Sequence, residues 1–283
     1  MITTVQAILL GALQGFTELF PISSLGHTVL LPPLLGWSVD QDAQFFIIFL
    51  VATHFATALV LLGFFFDDWM KIARGFFRSI TPKRRILSDT YARLSWLIIV
   101  GTIPAGLLGL LFQKKFEHLF AAPVLVSLFL IGNGFLLYGA ELLRRKGRHT
   151  FFSPDADHAI ATLSYPQALF VGSMQALALF PGFSRTGAAL AGGLLCKLDH
   201  ESAARFSFLL ATPLIFAAAA LKLPLLLEAG KYPLDIVFIG FIVSGITAYF
   251  SIRFLTKYFK TKTLTPFALY CVFAGLVSLI ILH

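Results

Sequence analysis

The chain has 283 residues, 58% of them hydrophobic and only 13% charged, with a mean hydropathy of +0.85. Soluble domains carry about 25% charged and about 45–50% apolar residues, so the composition excludes a soluble globular protein. The net charge of +8 does not point to nucleic acid, because the basic residues gather in a few segments between apolar runs.

The chain opens on an interrupted apolar stretch, Ile2 to Leu35, broken by QGFTELFPISSLGH from Gln14 to His27. Each half is shorter than the roughly 17–25 apolar residues that cross a bilayer. With no basic leader and a polar motif where cleavage would fall, the stretch is not expected to be a cleavable signal. Irregular backbone at membrane depth survives only where protein or water covers it, so a re-entrant helix–loop–helix hairpin is expected, with one kinked span as the alternative. Gln14 and Glu18 are four apart and share a helix face. The helix is predicted to end before Pro21, leaving Ser23 and Ser24 in the loop that opens the next half-helix. Glu18 and His27 are ionisable groups inside a membrane protein and are read as functional. The plainer reading is a serine cap with a buried, hydrogen-bonded histidine.

Full spans are predicted at Ala43 to Phe66, Leu94 to Phe112 and Pro123 to Leu143. His54, inside the first, is read as a structural histidine, and Asp67 and Asp68 as solvent-facing. A second interrupted stretch follows, Ala168 to Leu195, broken by PGFSRTG from Pro181 to Gly187. Ser184 and Thr186 offer hydroxyls and backbone N–H groups at a half-helix start, where anions bind. Arg185 is a fixed cation able to hold phosphate oxygens, or else a snorkelling side chain. Asp199, His200 and Glu201 are read as the opening of a helix at Ser202. The remaining spans are Phe206 to Leu227, Ile236 to Leu255 and Leu264 to Leu282. Cys196 and Cys271 carry no metal spacing and are read as small buried residues. His118, His149 and His158 are loop residues without metal spacing.

Charge sorts the connecting segments. Lys71, Arg74, Arg78, Lys83, Arg84 and Arg85 follow the first span, Arg144, Arg145, Lys146 and Arg148 the third, and Lys257, Lys260 and Lys262 the fifth. Alternate segments hold only Lys114 and Lys115, then Lys222 and Lys231. Basic loops stay cytoplasmic, which predicts a bundle with both termini outside.

The two broken stretches echo each other. LFPISSLG from Leu19 lines up with LFPGFSRTG from Leu179, FLVAT from Phe49 with FLLAT from Phe208, and Gly101-x-Ile103-x-x-Gly106 with Gly240-x-Ile242-x-x-Gly245. The fold expected is therefore an all-α polytopic membrane protein. It has six transmembrane helices and two re-entrant hairpins in one membrane domain, 1–283. Halves of about 1–143 and 165–283 are joined by a basic cytoplasmic loop. Three spans per half invert the second half, and inverted repeats build their site at the repeat interface. Glu18, His27, the hydroxyls and Arg185 then supply a nucleophile, acid/base groups and charge neutralisation for phosphoryl transfer. Ser24 or His27 is the attacking group, and Glu18 with Gln14 orients the base or holds a divalent cation.

These motifs resemble the bacterial undecaprenyl-diphosphate phosphatase family, also called the bacitracin-resistance protein family. Gln14, Glu18, Pro21, Ser23, Ser24, Gly26 and His27 match its first motif, and Pro181, Gly182, Ser184, Arg185 and Thr186 its second. Phe206 to Pro213 and Thr265 to Tyr270 are also similar. The resemblance implies hydrolysis of undecaprenyl diphosphate to the monophosphate and phosphate, recycling the lipid carrier of peptidoglycan synthesis and conferring bacitracin resistance. It implies a divalent cation (Mg2+ or Ca2+) and a multi-pass protein of the bacterial plasma membrane with its site facing outward. The lipid and the membrane are then the partners, with a homodimer left open. Ser24 becomes the nucleophile, with His27 as its rival for that role and otherwise the acid/base. Glu18 and Gln14 become the metal or base group, and Arg185, with Ser23, Ser184 and Thr186, the diphosphate binder. A prenyl-phosphate transporter is the alternative. The chain departs from the family pattern at Thr186 (usually Ser), Ala189 (usually Thr), Arg205 (usually Glu) and Cys271 (usually Arg). Arg205 is expected near the site, reversing its local charge.

Overall fold

The structure, a computed structural model, describes residues 2–39, 44–81, 89–117, 122–146, 155–222 and 233–283. Lys83, Arg84, Arg85, Arg148 and Lys231, with His118 and His149, lie outside the described residues. So do Ala43 at the start of the first expected span and the end of the fourth, up to Leu227. The helices are α1 (Thr4–Thr17), α2 (Ser24–Leu34), α3 (Gln44–Phe64), α4 (Phe66–Ser79), α5 (Thr90–Glu117) and α6 (Pro123–Lys146). There follow α7 (Ala156–Ala161), α8 (Tyr165–Gln175), α9 (Arg185–Leu195), α10 (His200–Lys222), α11 (Leu234–Tyr258) and α12 (Thr265–Leu282).

Six of these, α3, α5, α6, α10, α11 and α12, are long and apolar enough to cross a membrane, as expected. Their outward residues confirm the solvent they face. Phe135, Phe238, Phe250, Phe273 and Ile280 are all exposed on the outer surface, a continuous apolar exterior that water does not tolerate. Some span ends differ from hydropathy alone. α5 starts at Thr90, not Leu94, because the Asp89 carboxylate accepts the Tyr91 and Ala92 amides and pays for a polar first turn. α10 likewise begins at His200, with Asp199 accepting the Ser202 amide.

Both interrupted stretches fold as two short helices joined by a break, α1 with α2 and α8 with α9. They open in the same way. Thr3 caps α1 and Ser164 caps α8, each in a capping box closed by a glutamine three residues on, Gln6 and Gln167. The packing is reciprocal. α1 lies on α11, where a Cβ on Gly11 would sit 2.6 Å from the Gly240 carbonyl oxygen. α8 lies on α5, where a Cβ on Gly172 would sit 2.0 Å from the Gly101 carbonyl oxygen. Gly101 and Gly240 are the paired glycines of the sequence echo, and each sits where a span receives a short helix, α5 receiving α8 and α11 receiving α1. Replacing Gly172 by alanine forces backbone from backbone and is expected to cost about 1–3 kcal/mol. Thermal unfolding in detergent checks this against Gly139→Ala, whose new Cβ would meet nothing within 4 Å and which should leave the midpoint unchanged or slightly raised, as alanine for glycine inside a helix does.

The far end of the bundle from these breaks carries the charge. Arg205, near the start of α10, bonds Asp157 of α7 at 2.6 and 3.0 Å and Asp68 of α4 at 2.8 Å. Asp68 is thus an ion-pair partner of the helix bundle and not a free solvent-facing acid. His200 turns inward to the buried Glu141 at 2.7 Å.

Candidate active site

Each break is shaped to present one polar group. α1 ends as Glu18 caps it, ahead of Pro21, and residues 19–23 are buried as a loop. Ser23 takes φ +70, unusual for a residue other than glycine, and its hydroxyl accepts the Gly26 amide to start α2 at Ser24. In the second break Gly182 has φ +120, and a Cβ there would lie 2.6 Å from Val126 O and Phe129 Cβ. Only glycine fits that position. Ser184 then caps α9 by accepting the Gly187 amide, which makes Arg185 the first helical residue. Ser23 and Ser184 therefore play the same part in the two loops.

The loops meet. Thr186 Oγ1 donates to the Glu18 carbonyl at 3.0 Å, Ser184 Oγ to the Phe20 carbonyl at 3.4 Å, and a Cβ on Gly26 would touch Gly182 Cα at 3.0 Å. Ser184 and Thr186, expected to bind phosphate, join loop to loop here, and Ser23 caps α2.

Glu18, buried, is the hub of the joined loops. Its Oε1 accepts from Arg185 Nη2 at 2.7 Å. Its Oε2 accepts from Gln14 Nε2 at 2.9 Å and from the Ser24 hydroxyl, and lies 3.1 Å from His54 Nε2. Arg185 and His54 also line a cavity of about 320 Å3 whose remaining walls are almost wholly apolar, among them Leu25, Leu50, Ala105 and Leu214. Gln175 is the third polar residue of its wall. Among the described residues, the buried Arg185 Nε and Gln14 Oε1 have no hydrogen-bond partner. Arg185 and His54 are the cationic or proton-bearing side chains of that wall, and both bond Glu18, which holds the buried Ser24 hydroxyl directly behind them.

His54, read from sequence as structural, is thus part of the site. Its Nδ1 faces the Leu50 carbonyl at 2.7 Å, which only accepts, so Nδ1 carries a hydrogen. The Nε2 contact to Glu18 is favourable when one proton lies between them. The available signal was its place as an ionisable residue mid-span, directly after the repeated FLVAT. His27 is differently placed. Its Nδ1 donates to the Ser23 carbonyl at 2.7 Å, and its Nε2 meets the Tyr270 hydroxyl at 2.8 Å with the rings stacked. Leu25 faces the cavity, and His27 lies about 200° further around α2. It supports the strained Ser23 turn from behind.

Arg205 does not reverse the charge of this site. It sits about 13 Å along α10 from the cavity-lining Leu214 and its charge is met by Asp157 and Asp68. Cys271, also a departure, is fully buried behind the first loop, and Ala189 is buried in α9. A divalent cation would find one carboxylate, Glu18, and one free amide oxygen, Gln14 Oε1. No cluster of three or more His, Cys, Asp or Glu suited to a metal occurs among the described residues. That donor set fits a hard cation completed by water and substrate phosphate oxygens, the usual manner of Mg2+, better than an all-protein cage.

A family model described as bacitracin resistance protein BacA matches residues 7–277. An undecaprenyl-diphosphatase of Mycolicibacterium paratuberculosis is 45% identical, covering 98% of this chain and 96% of its own length. Undecaprenyl-diphosphatase 2 of Frankia alni is 41% identical over 97% and 96% of the two chains, and that of Chromobacterium violaceum 43% identical over 98% of both.

Proposed function

The chain belongs to the bacitracin-resistance protein family, and on that premise we propose that it hydrolyses undecaprenyl diphosphate to undecaprenyl phosphate and inorganic phosphate. One observation carries the chemical reading: Glu18 holds the Ser24 hydroxyl of one loop and the Arg185 guanidinium of the other. A carrier of lipid phosphate needs the cation but has no use for a serine seated on a carboxylate.

Ser24 Oγ attacks the terminal phosphorus in line. The bond from that phosphorus to the bridging oxygen breaks, and its electron pair leaves with the prenyl monophosphate. The Ser24 proton passes to Glu18, whose other partners, His54 and Arg185, stabilise the shared proton and the phosphoryl oxygens respectively. Water then attacks the phosphoserine, phosphate leaves, and Ser24 recovers its proton. The apolar cavity wall accepts the first units of the prenyl chain. Glu18 and Gln14 would hold a divalent cation, which supplies charge neutralisation on the diphosphate when bound.

The cavity draws on the N-terminal half of α3 and the C-terminal halves of α5 and α10, the ends away from the basic segments. By the positive-inside rule the site faces the outer side of a bacterial plasma membrane, where used lipid carrier is recycled for peptidoglycan synthesis. Opposed orientation of the two halves follows from the three spans assigned to each, and the reciprocal glycine seams are compatible with it.

The test is phosphate release from undecaprenyl diphosphate by the purified protein, with and without chelator. Release that a chelator abolishes and Mg2+ or Ca2+ restores supports the whole reading. Release unaffected by chelator removes the cation, and no release in any condition removes the activity. His54→Ala is expected to lower turnover on the order of 10²-fold, the worth of a proton-handling group, with little change in KM. Full turnover would return His54 to a structural role.

A further inference from the structure

α6 is an apolar span with a single amide near its middle, Asn133, in the sequence Gly132-Asn133-Gly134. Asn133 is fully buried. A polar side chain there is costly unless its hydrogen bonds are made, and both donors and the acceptor oxygen have partners. Nδ2 donates to the Pro21 carbonyl at 3.0 Å and to Cys271 Sγ at 3.3 Å. Oδ1 accepts the Ser184 amide at 3.0 Å. The orientation of the amide follows from its partners, since a backbone N–H only donates and a proline carbonyl only accepts.

One end of this amide therefore holds the first loop and the other end holds the second. Pro21 stands between Glu18 and Ser24, and Ser184 immediately precedes Arg185. The flanking glycines fix the amide in place. A Cβ on Gly132 would press on the Phe183 ring at 3.1 Å, and one on Gly134 would meet the Ala268 carbonyl at 2.7 Å. α6 is thus able to approach the second loop on one side and α12 on the other. The small Cys271 side chain leaves room for the amide where a long one would fill it.

We propose that Asn133 is a positioning residue that sets the register between the nucleophile loop and the phosphate-clamping loop. The inference rests on the reading of Ser24 and Arg185 as one phosphatase site. The direct contacts between the loops, from Ser184 Oγ and Thr186 Oγ1, join them but leave their height relative to α6 free. Asn133 ties both to one rigid helix.

The test uses the full-length protein in detergent or nanodiscs with two variants. Asn133→Leu removes both bonds with a side chain at home in a membrane span. Asn133→Asp keeps the oxygen facing Ser184 and loses the donor to Pro21. For Asn133→Leu we expect kcat to fall about 10- to 100-fold, the effect of misplacing reacting groups by about 1 Å, with KM changed little. Hydrogen exchange of the peptide containing Ser184 should quicken in Asn133→Leu and stay protected in Asn133→Asp, which should lose less activity. Wild-type kcat in Asn133→Leu, a loss seen wholly in KM, or unchanged exchange in Asn133→Leu would overturn the proposal. If Asn133→Leu does not fold, Asn133→Asp decides: protection at Ser184 with a reduced kcat supports the latch, and loss of protection or unchanged kcat overturns it. If the wild-type protein releases no phosphate, the reading of the site has failed, and the exchange measurements still show whether the latch exists.

Discussion

Replacing Ser24 with alanine is expected to lower phosphate release by about 10⁴-fold or more, the scale of loss when a covalent nucleophile is removed. The fold should survive, because Ser23 and not Ser24 caps α2. The Ser24 hydroxyl bonds Glu18, which keeps Gln14, His54 and Arg185 as partners without it. A matched thermal midpoint with near-total loss of turnover therefore isolates the chemistry. Ser23→Ala is the companion measurement. It removes a cap worth about 1 kcal/mol and loosens the turn at φ +70, but leaves the attacking group, so it should cost stability and only part of the rate. Rapid quenching with a phosphorus-labelled substrate completes the argument. Wild-type protein should trap label on Ser24 and the Ser24→Ala variant none. Label trapped on His27 instead, or full turnover by Ser24→Ala, would reverse the assignment of the nucleophile.

What could be read in advance was whatever depends on neighbours in the chain. The breaks at Pro21 and Pro181, the serines that start α2 and α9, and the six spans all follow from proline geometry, capping and hydropathy acting within a few residues. The residues that escaped depend on placement across the bundle. His54 looked structural because no charged residue is near it in the chain, and its partner Glu18 comes from another helix. Arg205 looked like a charge added to the site, but α10 is long and carries Arg205 and the cavity wall at opposite ends. Asn133 offered no motif beyond two flanking glycines, although an amide inside a span is itself a signal. Ser184 and Thr186, expected to contact phosphate as hydroxyls beside a cation, donate to carbonyls of the first loop, contacts that depend on how the loops approach and not on neighbours in the chain. Of the sequence echoes, Gly101 and Gly240 fall where α8 meets α5 and α1 meets α11.

Arg185→Ala should be the most damaging change in the second loop, for two separable reasons. Arg185 is the side chain that neutralises Glu18 Oε1, at 2.7 Å, with both groups largely buried. Removing one partner of such a pair leaves a carboxylate uncompensated and costs about 3–5 kcal/mol where burial is complete; His54 on Oε2 should reduce this. The same guanidinium is the only arginine lining the cavity among the described residues, and loss of a charge clamp on a transferring phosphoryl group costs about 10³- to 10⁵-fold in rate. Arg185→Lys separates the two. A lysine restores the charge opposite Glu18 and should recover most of the stability, but its donors radiate from one nitrogen and lack the fixed, spaced fork by which a guanidinium holds Glu18 on one edge and phosphate on another. Its rate should stay well below wild type while its thermal midpoint approaches it. The double variant Glu18→Gln/Arg185→Ala tests the coupling. Once Glu18 is neutral, losing Arg185 should destabilise far less than it does alone, a non-additivity expected of groups in direct contact. Additive stability losses would mean that the ion pair across the two loops contributes nothing to holding them together.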